Sequence, residues 1–460
     1  MKESSRFLRL RPKDIMALFK LLCLGGQLGI FICAWGHMQQ LIAPSAQTSL
    51  LLFFIYALIL FMLHRTYGSM KVGTHKLVNL CTGHLLSLFF GDTLLLLISV
   101  LSIRQLPNLW IFLFMFFLQL VFSLLWCLAG HQLYYKVTPA KKTGIIVGSN
   151  EALKALESIC HIPERYRVEK ILDSRDYAAD PEALIRQLGG MERIFLGALH
   201  HELQDEIIRY CIRKNIPVNI LPGYSDVMVS TARQRFIGHT PLLTMNLDHV
   251  SLPYRLLKRT MDIAVSALML LLGSPVLGLV ALAIHKEDGG PVFYRQKRLT
   301  RHGKEFEILK FRSMRVDAEK DGVARLASQN DDRITKVGRL IRATRLDELP
   351  QLINILKGDM ALVGPRPERP EIAAQYEKQL PEFSARLHVK AGLTGFAQVH
   401  GKYNTTPQEK LKMDLMYITH RSTALDVKLI LQTVQILLKK ESTEGVSEGQ
   451  HTALKQDPPA

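Results

Sequence analysis

Apolar residues in this chain come in blocks. Four long apolar segments follow one another, roughly Ile15 to Trp35, Ser49 to Leu63, Leu77 to Ile103 and Leu109 to Leu128. About 20 residues of helix cross the hydrocarbon core of a bilayer, and each segment is near that length. The second is short, and the third carries Asp92, read as a polar residue at a helix end near a loop and not as a functional intramembrane acid. No small-residue cleavage site follows the first segment and three more segments come after it, which argues against a cleaved signal peptide.

From Thr143 the pattern changes to short apolar runs alternating with helical periodicity. Strands are predicted at 144–148, 168–172, 193–199 and 217–221, with helices from Glu151, from Pro181 and over Glu202 to Lys214. Strands alternating with helices imply a parallel sheet, a Rossmann-like α/β domain. The first turn, Val147-Gly148-Ser149-Asn150, lacks the full GxGxxG of a dinucleotide site, so packing or regulation is the favoured use of this domain. A fifth apolar stretch, Met261 to Ile284, carries Gly273-Ser274-Pro275 at its middle and basic residues on both flanks. Proline removes a backbone donor and clashes with the preceding turn, so the helix is expected to break or kink there. A re-entrant hairpin returns the chain to its starting side and keeps both basic flanks together; an ordinary kinked crossing is the alternative.

Charge orients these elements. Lys2, Arg6, Arg9, Arg11 and Lys13 precede the first segment, Arg65, Lys71 and Lys76 join the second to the third, and Lys136, Lys141 and Lys142 follow the fourth. The positive-inside rule puts both ends of this four-helix unit in the cytoplasm. The whole chain of 460 residues has 58 Lys+Arg against 41 Asp+Glu, a formal net charge of +17, and a mean hydropathy of +0.10. Those values exclude a single small soluble module and suit an anionic partner. The six cysteines (23, 33, 81, 127, 160 and 211) include no pair at metal or redox spacing.

The segment from His285 to Arg345 holds sixteen Lys/Arg against nine Asp/Glu, in compact groups such as Gln296-Lys297-Arg298, Lys310-Phe311-Arg312-Ser313-Met314 and Arg339-Leu340-Ile341-Arg342. Arg345-Leu346-Asp347-Glu348-Leu349-Pro350-Gln351 follows. On spacing alone Asp347 and Glu348 read equally as helix-capping acids or as a nucleophile beside a magnesium ligand. Leu362-Val363-Gly364-Pro365-Arg366-Pro367 restricts an arginine between two prolines, which suits bidentate phosphate binding. Lys390 to Val399 reads as a glycine-punctuated loop leading into a strand.

This ordered series, together with Lys258-Arg259…Asp262, Gly290-Pro291-Val292-Phe293, Thr394-Gly395-Phe396-Ala397-Gln398-Val399 and Asp414…Tyr417, resembles the bacterial polyprenyl-phosphate phosphoglycosyl transferases over roughly residues 255–440. The four-helix unit plus α/β domain is similar to the long form of that family, the hexose-1-phosphate transferases. The resemblance implies a membrane protein of α plus α/β class. Its parts are a four-helix transmembrane bundle (1–135), a Rossmann-like domain (140–250), a re-entrant membrane helix (255–285), a mostly helical cytoplasmic catalytic domain (286–440) and a disordered tail (441–460).

The same resemblance implies that Asp347 attacks the phosphate bearing the sugar in a UDP-sugar, expels UMP and hands the phosphosugar to undecaprenyl phosphate, starting exopolysaccharide, capsule or O-antigen synthesis. Glu348 would ligate Mg²⁺. Lys310, Arg342 and Arg366 would neutralise phosphate charge, with Arg298, Arg312 and Gln398 also counted as substrate- or phosphate-binding, and Ser274-Pro275 would shape the re-entrant helix. The expected partners are a UDP-sugar, undecaprenyl phosphate and the bilayer of a bacterial inner membrane, without nucleic acid; a homodimer follows by analogy only. Three positions depart from the family pattern: Arg345 for a small residue, Thr300 for Gly and Ala391 for Pro. Lys402-Tyr403-Asn404 stands where Arg-Asn is frequent, in a region associated with sugar or nucleotide contacts. The competing readings are a membrane-bound glycosyl transferase that releases UDP and a non-catalytic membrane scaffold.

Overall fold

The computed structural model describes residues 11–42, 45–178, 180–245, 247, 250–316, 333–401 and 405–437. Lys402-Tyr403-Asn404, the tail 441–460 and the basic Lys2, Arg6 and Arg9 lie outside the described residues. The chain divides into two compact units, Met1–Pro222 and Gly223–Ala460.

The first unit opens with α1 (Pro12–Ile42), α2 (Ala46–Tyr67), α3 (Leu77–Ile103) and α4 (Leu109–Val137). Each is long and apolar enough to cross a membrane. Helix α1 packs on α4, α2 on α3 and α3 on α4, around Phe31, Tyr56, Leu60, Leu88, Leu95 and Met115. Their outward faces carry exposed Leu and Phe, including Leu51, Phe54, Phe114 and Phe117.

Asp92 does not sit at a helix end. It lies within α3, buried, and accepts a hydrogen bond from Tyr56 Oη, which also meets Gln119. Gln119 donates to the Gln27 carbonyl, and Gln27 reaches Ser123 and His64. A carboxyl group facing lipid is costly, and turning inward onto polar partners lowers that cost; the apolar flanks on both sides keep the helix running through it.

The α/β part is β1 (Lys141–Val147), α5 (Asn150–Cys160), β2 (Tyr166–Asp173), α6 (Pro181–Gln187), β3 (Arg193–Gly197), α7 (His201–Lys214) and β4 (Val218–Leu221). The strands form one parallel sheet in the order β2-β1-β3-β4. Gly148 after β1 lets the backbone approach the Ala198 carbonyl: a Cβ there would stand 2.2 Å from that oxygen. The glycine therefore serves turn-to-turn packing. At the end of β2 the Asp173 carboxylate is taken up by Arg175, whose Nη2 also donates to Asn150.

The second unit begins with α8 (Tyr224–Ser230) and an antiparallel hairpin, β5 (Arg233–Ile237) and β6 (Thr240–Thr244). Then comes α9 (Leu252–Asp288), a fifth helix long and apolar enough to cross a membrane. Helical assignment continues through Pro275 without a break. Proline deprives the Leu271 carbonyl of its usual donor four residues on, and Ser274 Oγ donates to that carbonyl instead, at 2.8 Å.

Beyond α9 lie the antiparallel pair β7 (Phe293–Leu299) and β8 (Glu305–Phe311), α10 (Lys336–Ala343), a 3₁₀ turn at Leu346–Glu348, α11 (Gln351–Lys357), β9 (Ala361–Val363) and α12 (Pro370–Gln379). The chain continues through β10 (Gly392–Thr394), α13 (Phe396–His400), α14 (Pro407–His420) and α15 (Thr423–Leu437). Leu352, Ile355, Leu362, Phe383, Leu415 and Tyr417 share one core here. The stretch Lys390 to Val399, expected as a loop leading into a strand, holds the short strand β10 and then turns into the helix α13. Gly395 starts it in extended conformation, and its carbonyl accepts the Val399 N–H.

Candidate active site

The carboxylate pair is placed by a turn that sequence patterning does not anticipate. Helix α10 ends at Ala343, and Arg345 takes a left-handed conformation (φ 55°) that redirects the chain into the 3₁₀ turn holding Asp347 and Glu348. Neither acid caps α11: the residue before that helix is Pro350, and no side chain there accepts from its first turn. The capping reading of the pair at α11 therefore falls away.

Glu348 Oε1 receives Arg366 Nη2 at 2.7 Å and Lys310 Nζ at 3.2 Å. Lys310 arrives on β8 and Arg366 on the loop after β9. Burial disfavours the Glu348 carboxylate, but Arg366 and Lys310 outweigh that effect and hold its pKa well below the usual carboxylate range. Asp347 is balanced the other way. Burial and the neighbouring Glu348 charge push it up to about 6, against the opposing pull of Lys310, Arg342 and Arg366. Burial lowers the Lys310 ammonium, with Glu348 working against that shift. Asp347, Glu348, Lys310, Arg342 and Arg366 thus form one electrostatic group.

Of the other sequence-selected residues, Arg298 lies behind this group. It is half-buried, its guanidinium donates to the Pro367 carbonyl (3.0 Å) and to Gln296 (2.6 Å), and desolvation lowers its pKa to about 10. Together with Lys310 and Arg366 it lines a small cleft that also includes Gln351, Gly392 and Leu393. Arg312 is not brought to Glu348; it is buried against Asp288 at the end of α9. Gln398 turns back to donate to the Leu393 carbonyl at 3.0 Å. Ser274 and Pro275 stay within α9.

Several positioning contacts escaped the sequence reading, which carried Arg259, Asp262 and Asp414 only as members of the motif series. Arg386, 4% exposed, donates to the Arg366 carbonyl (2.9 Å) and pairs with Asp414 and Glu368. Asn354 on α11 accepts the Leu309 N–H (2.9 Å) and donates to the Glu307 carbonyl (2.8 Å), fastening α11 to the strand that carries Lys310. Its signal in the sequence is a lone amide inside the apolar run Leu352-Ile353-Asn354-Ile355-Leu356. Arg259 on α9 donates to the carbonyls of Ile355 and Leu356 at the far end of α11, and Asp262 accepts the Leu362 N–H ahead of the Arg366 loop.

Mg²⁺ binds through one or two protein carboxylates, with phosphate and water oxygens completing its octahedron. Asp347 and Glu348 fit that donor set. Asp347 is a partly buried acid with too little countercharge, the deficit a cation would relieve. Among the described residues no group of three or more His, Cys, Asp or Glu forms an all-protein cage, and phosphate and water oxygens would complete the ligand set.

Residues 253–440 match the family model described as bacterial sugar transferase. A UDP-glucose:undecaprenyl-phosphate glucose-1-phosphate transferase of Escherichia coli (strain K12) is 40% identical over 222 residues, 47% of this chain and 48% of that protein. A protein of the same name from Caulobacter vibrioides is 41% identical over 212 residues, 44% of this chain and 78% of that protein. A UDP-N-acetylgalactosamine-undecaprenyl-phosphate N-acetylgalactosaminephosphotransferase of Aeromonas hydrophila is 34% identical over 237 residues, 51% of this chain and 55% of that protein. Apart from the Caulobacter protein, these matches span about half the length of each relative.

Proposed function

This chain belongs to the bacterial sugar transferase family, and we propose that it transfers a sugar 1-phosphate from a UDP-sugar to undecaprenyl phosphate through a covalent aspartyl intermediate. The observation that carries the reading is the asymmetry of the carboxylate pair. Glu348 is locked as an anion between Arg366 and Lys310, while Asp347 is the acid these cations leave less neutralised. A carboxylate that remains anionic near neutral pH yet is short of partners is suited to nucleophilic attack.

In the first step an Asp347 oxygen attacks the phosphorus bearing the sugar, the P–O bond to UMP breaks, and UMP leaves with the electron pair. In the second, an oxygen of undecaprenyl phosphate attacks the same phosphorus, the Asp347–phosphorus bond breaks, and a polyprenyl-diphosphate sugar departs. Lys310, Arg342 and Arg366 reduce the repulsion between anionic nucleophile and anionic substrate. Glu348 holds Arg366 and Lys310 in register. Mg²⁺, held by Glu348 beside Asp347, would supply further charge neutralisation on the phosphate oxygens. The relatives named for glucose and for N-acetylgalactosamine leave the choice of sugar to assay.

In the same reading α1–α4 form a transmembrane four-helix bundle of a bacterial inner membrane, and the catalytic unit works at the cytoplasmic face. Helix α9 enters and leaves by that face. Both of its ends touch the same body: Arg259 and Asp262 hold α11 and β9, while Ile284, Glu287 and Asp288 meet α10, Phe311 and Arg312. Much of its apolar middle, including Leu271 (72% exposed) and Leu279 (68%), is exposed, while Leu270, Leu277 and Val280 pack partly against the cores. Contacts at both ends of a largely exposed apolar middle support a re-entrant element.

The test is a chase with UDP-sugar labelled in the sugar phosphate, in the absence of lipid acceptor. The wild type should release UMP and retain the label on protein, and Asp347→Asn should do neither. Label retained by Asp347→Asn removes the nucleophile assignment, and release of UDP instead of UMP favours a glycosyl transferase.

A further inference from the structure

Two of the positions at which this chain departs from the family pattern, Thr300 and Ala391, meet in space. Both are buried, each 5% exposed. The Ala391 N–H donates to Thr300 Oγ1 at 3.2 Å, and the same hydroxyl donates to the Asp359 carbonyl at 2.8 Å. One side chain at the end of β7 therefore ties together the turn after α11 and the entry to β10. We infer that Thr300 is a positioning residue whose buried hydroxyl latches these segments and thereby holds the Arg366 loop in register with Glu348.

The connection to Arg366 runs through backbone bonds. The Ala391 carbonyl accepts the Ala361 N–H at 2.8 Å, and the Gly392 N–H donates to the Pro365 carbonyl at 2.9 Å, so the segment that Thr300 anchors is laced to the one that presents Arg366. The neighbouring residues of β7 grip the other side of that loop. Arg298 donates to the Pro367 carbonyl, and the Leu299 N–H donates to the Glu368 carbonyl at 3.0 Å. There is no slack at the joint: a Cβ on Gly364 would lie 2.3 Å from the Lys390 carbonyl oxygen. A buried N–H without an acceptor is costly, whereas removing donor and acceptor together is not. Proline at 391 would have no N–H to satisfy and glycine at 300 no hydroxyl to offer, so the two changes together remove the pair.

The role assigned to Thr300 rests on the proposed reaction, so its test is read two ways on the full-length protein. In UMP release, Thr300→Val keeps shape without the hydroxyl. It should lower kcat on the order of tenfold, the worth of one mispaired buried group, with a smaller change in KM. Thr300→Ser should restore kcat. Thr300→Gly should be impaired, Ala391→Pro should be impaired alone, and Thr300→Gly/Ala391→Pro should recover relative to Thr300→Gly. A Thr300→Val protein with wild-type kcat, or a double variant no better than the product of the singles, overturns the latch. The same four-protein cycle is read by thermal unfolding without substrate. A wild type that releases no UMP defeats the proposed reaction while this cycle still decides the latch: coupling in Tm supports it, and additivity overturns it.

Discussion

Asp347 and Glu348 are chain neighbours whose carboxyls are driven apart by what reaches them. Arg366 and Lys310 close on Glu348, and burial with a like-charged neighbour acts on Asp347. Two consequences can be measured. Attack requires the Asp347 anion, so kcat/KM should fall about tenfold per pH unit below an acidic limb at about 6; a limb near 4 would place Asp347 in water. The second concerns stability. A carboxyl raised in the folded state favours the protonated form on folding, so its ionised form destabilises above about pH 6 and has no effect below the unfolded value of about 4. Asp347→Asn should therefore raise Tm at neutral pH and lose that advantage near pH 4. Glu348→Gln should lower Tm at neutral pH, because a depressed carboxyl contributes stability above its unfolded value and loses it as pH falls. Equal Tm values for the wild type and Asp347→Asn at neutral pH would refute the strain assigned to Asp347.

At the scale of elements, helices and strands are held by side chains acting on other elements' backbones. Asn354 uses both halves of its amide on β8, and Arg259 covers two carbonyls at the end of α11. Replacing Asn354 by Leu preserves the apolar pattern of α11 but leaves the Leu309 N–H and Glu307 carbonyl unpaired, at roughly 1–3 kcal/mol per buried group. The expected result is a clear fall in Tm together with a fall in kcat as Lys310 loses its register; an unchanged Tm would show that water satisfies those groups. Long periodic elements were legible in advance, since α3 runs over Leu77–Ile103 and all four strands of the parallel sheet lie where alternation indicated. The helix at Phe396–His400 was not, because Val399 and its neighbours have strand propensity and the close approach of Gly395 to the Gly364 carbonyl decides the local geometry.

At the scale of the molecule, α9 is the element proposed to couple a membrane to the site. A straight helix of 37 residues would reach about 55 Å, nearly twice the hydrocarbon thickness, yet the residues at its two ends contact one body. With a re-entrant α9, a cysteine introduced at Lys286 in a cysteine-free background should resist an impermeant maleimide on intact cells and react once they are opened; labelling from outside would establish a full crossing. The sequence by itself determined the apolar helices, the parallel α/β order, the family and the carboxylate-arginine-lysine set, because these depend on composition, period and motif order along the chain. Only the tertiary structure decided that Arg298 and Gln398 bond to the Pro367 and Leu393 carbonyls, that Arg312 pairs at the end of α9, that Asp92 faces inward, and that Asn354, Arg386 and Thr300 bond to the backbone around Lys310, Arg366 and Ala391. Those outcomes depend on which donor meets which acceptor once the chain is packed, and a buried polar group's partner is set by that packing.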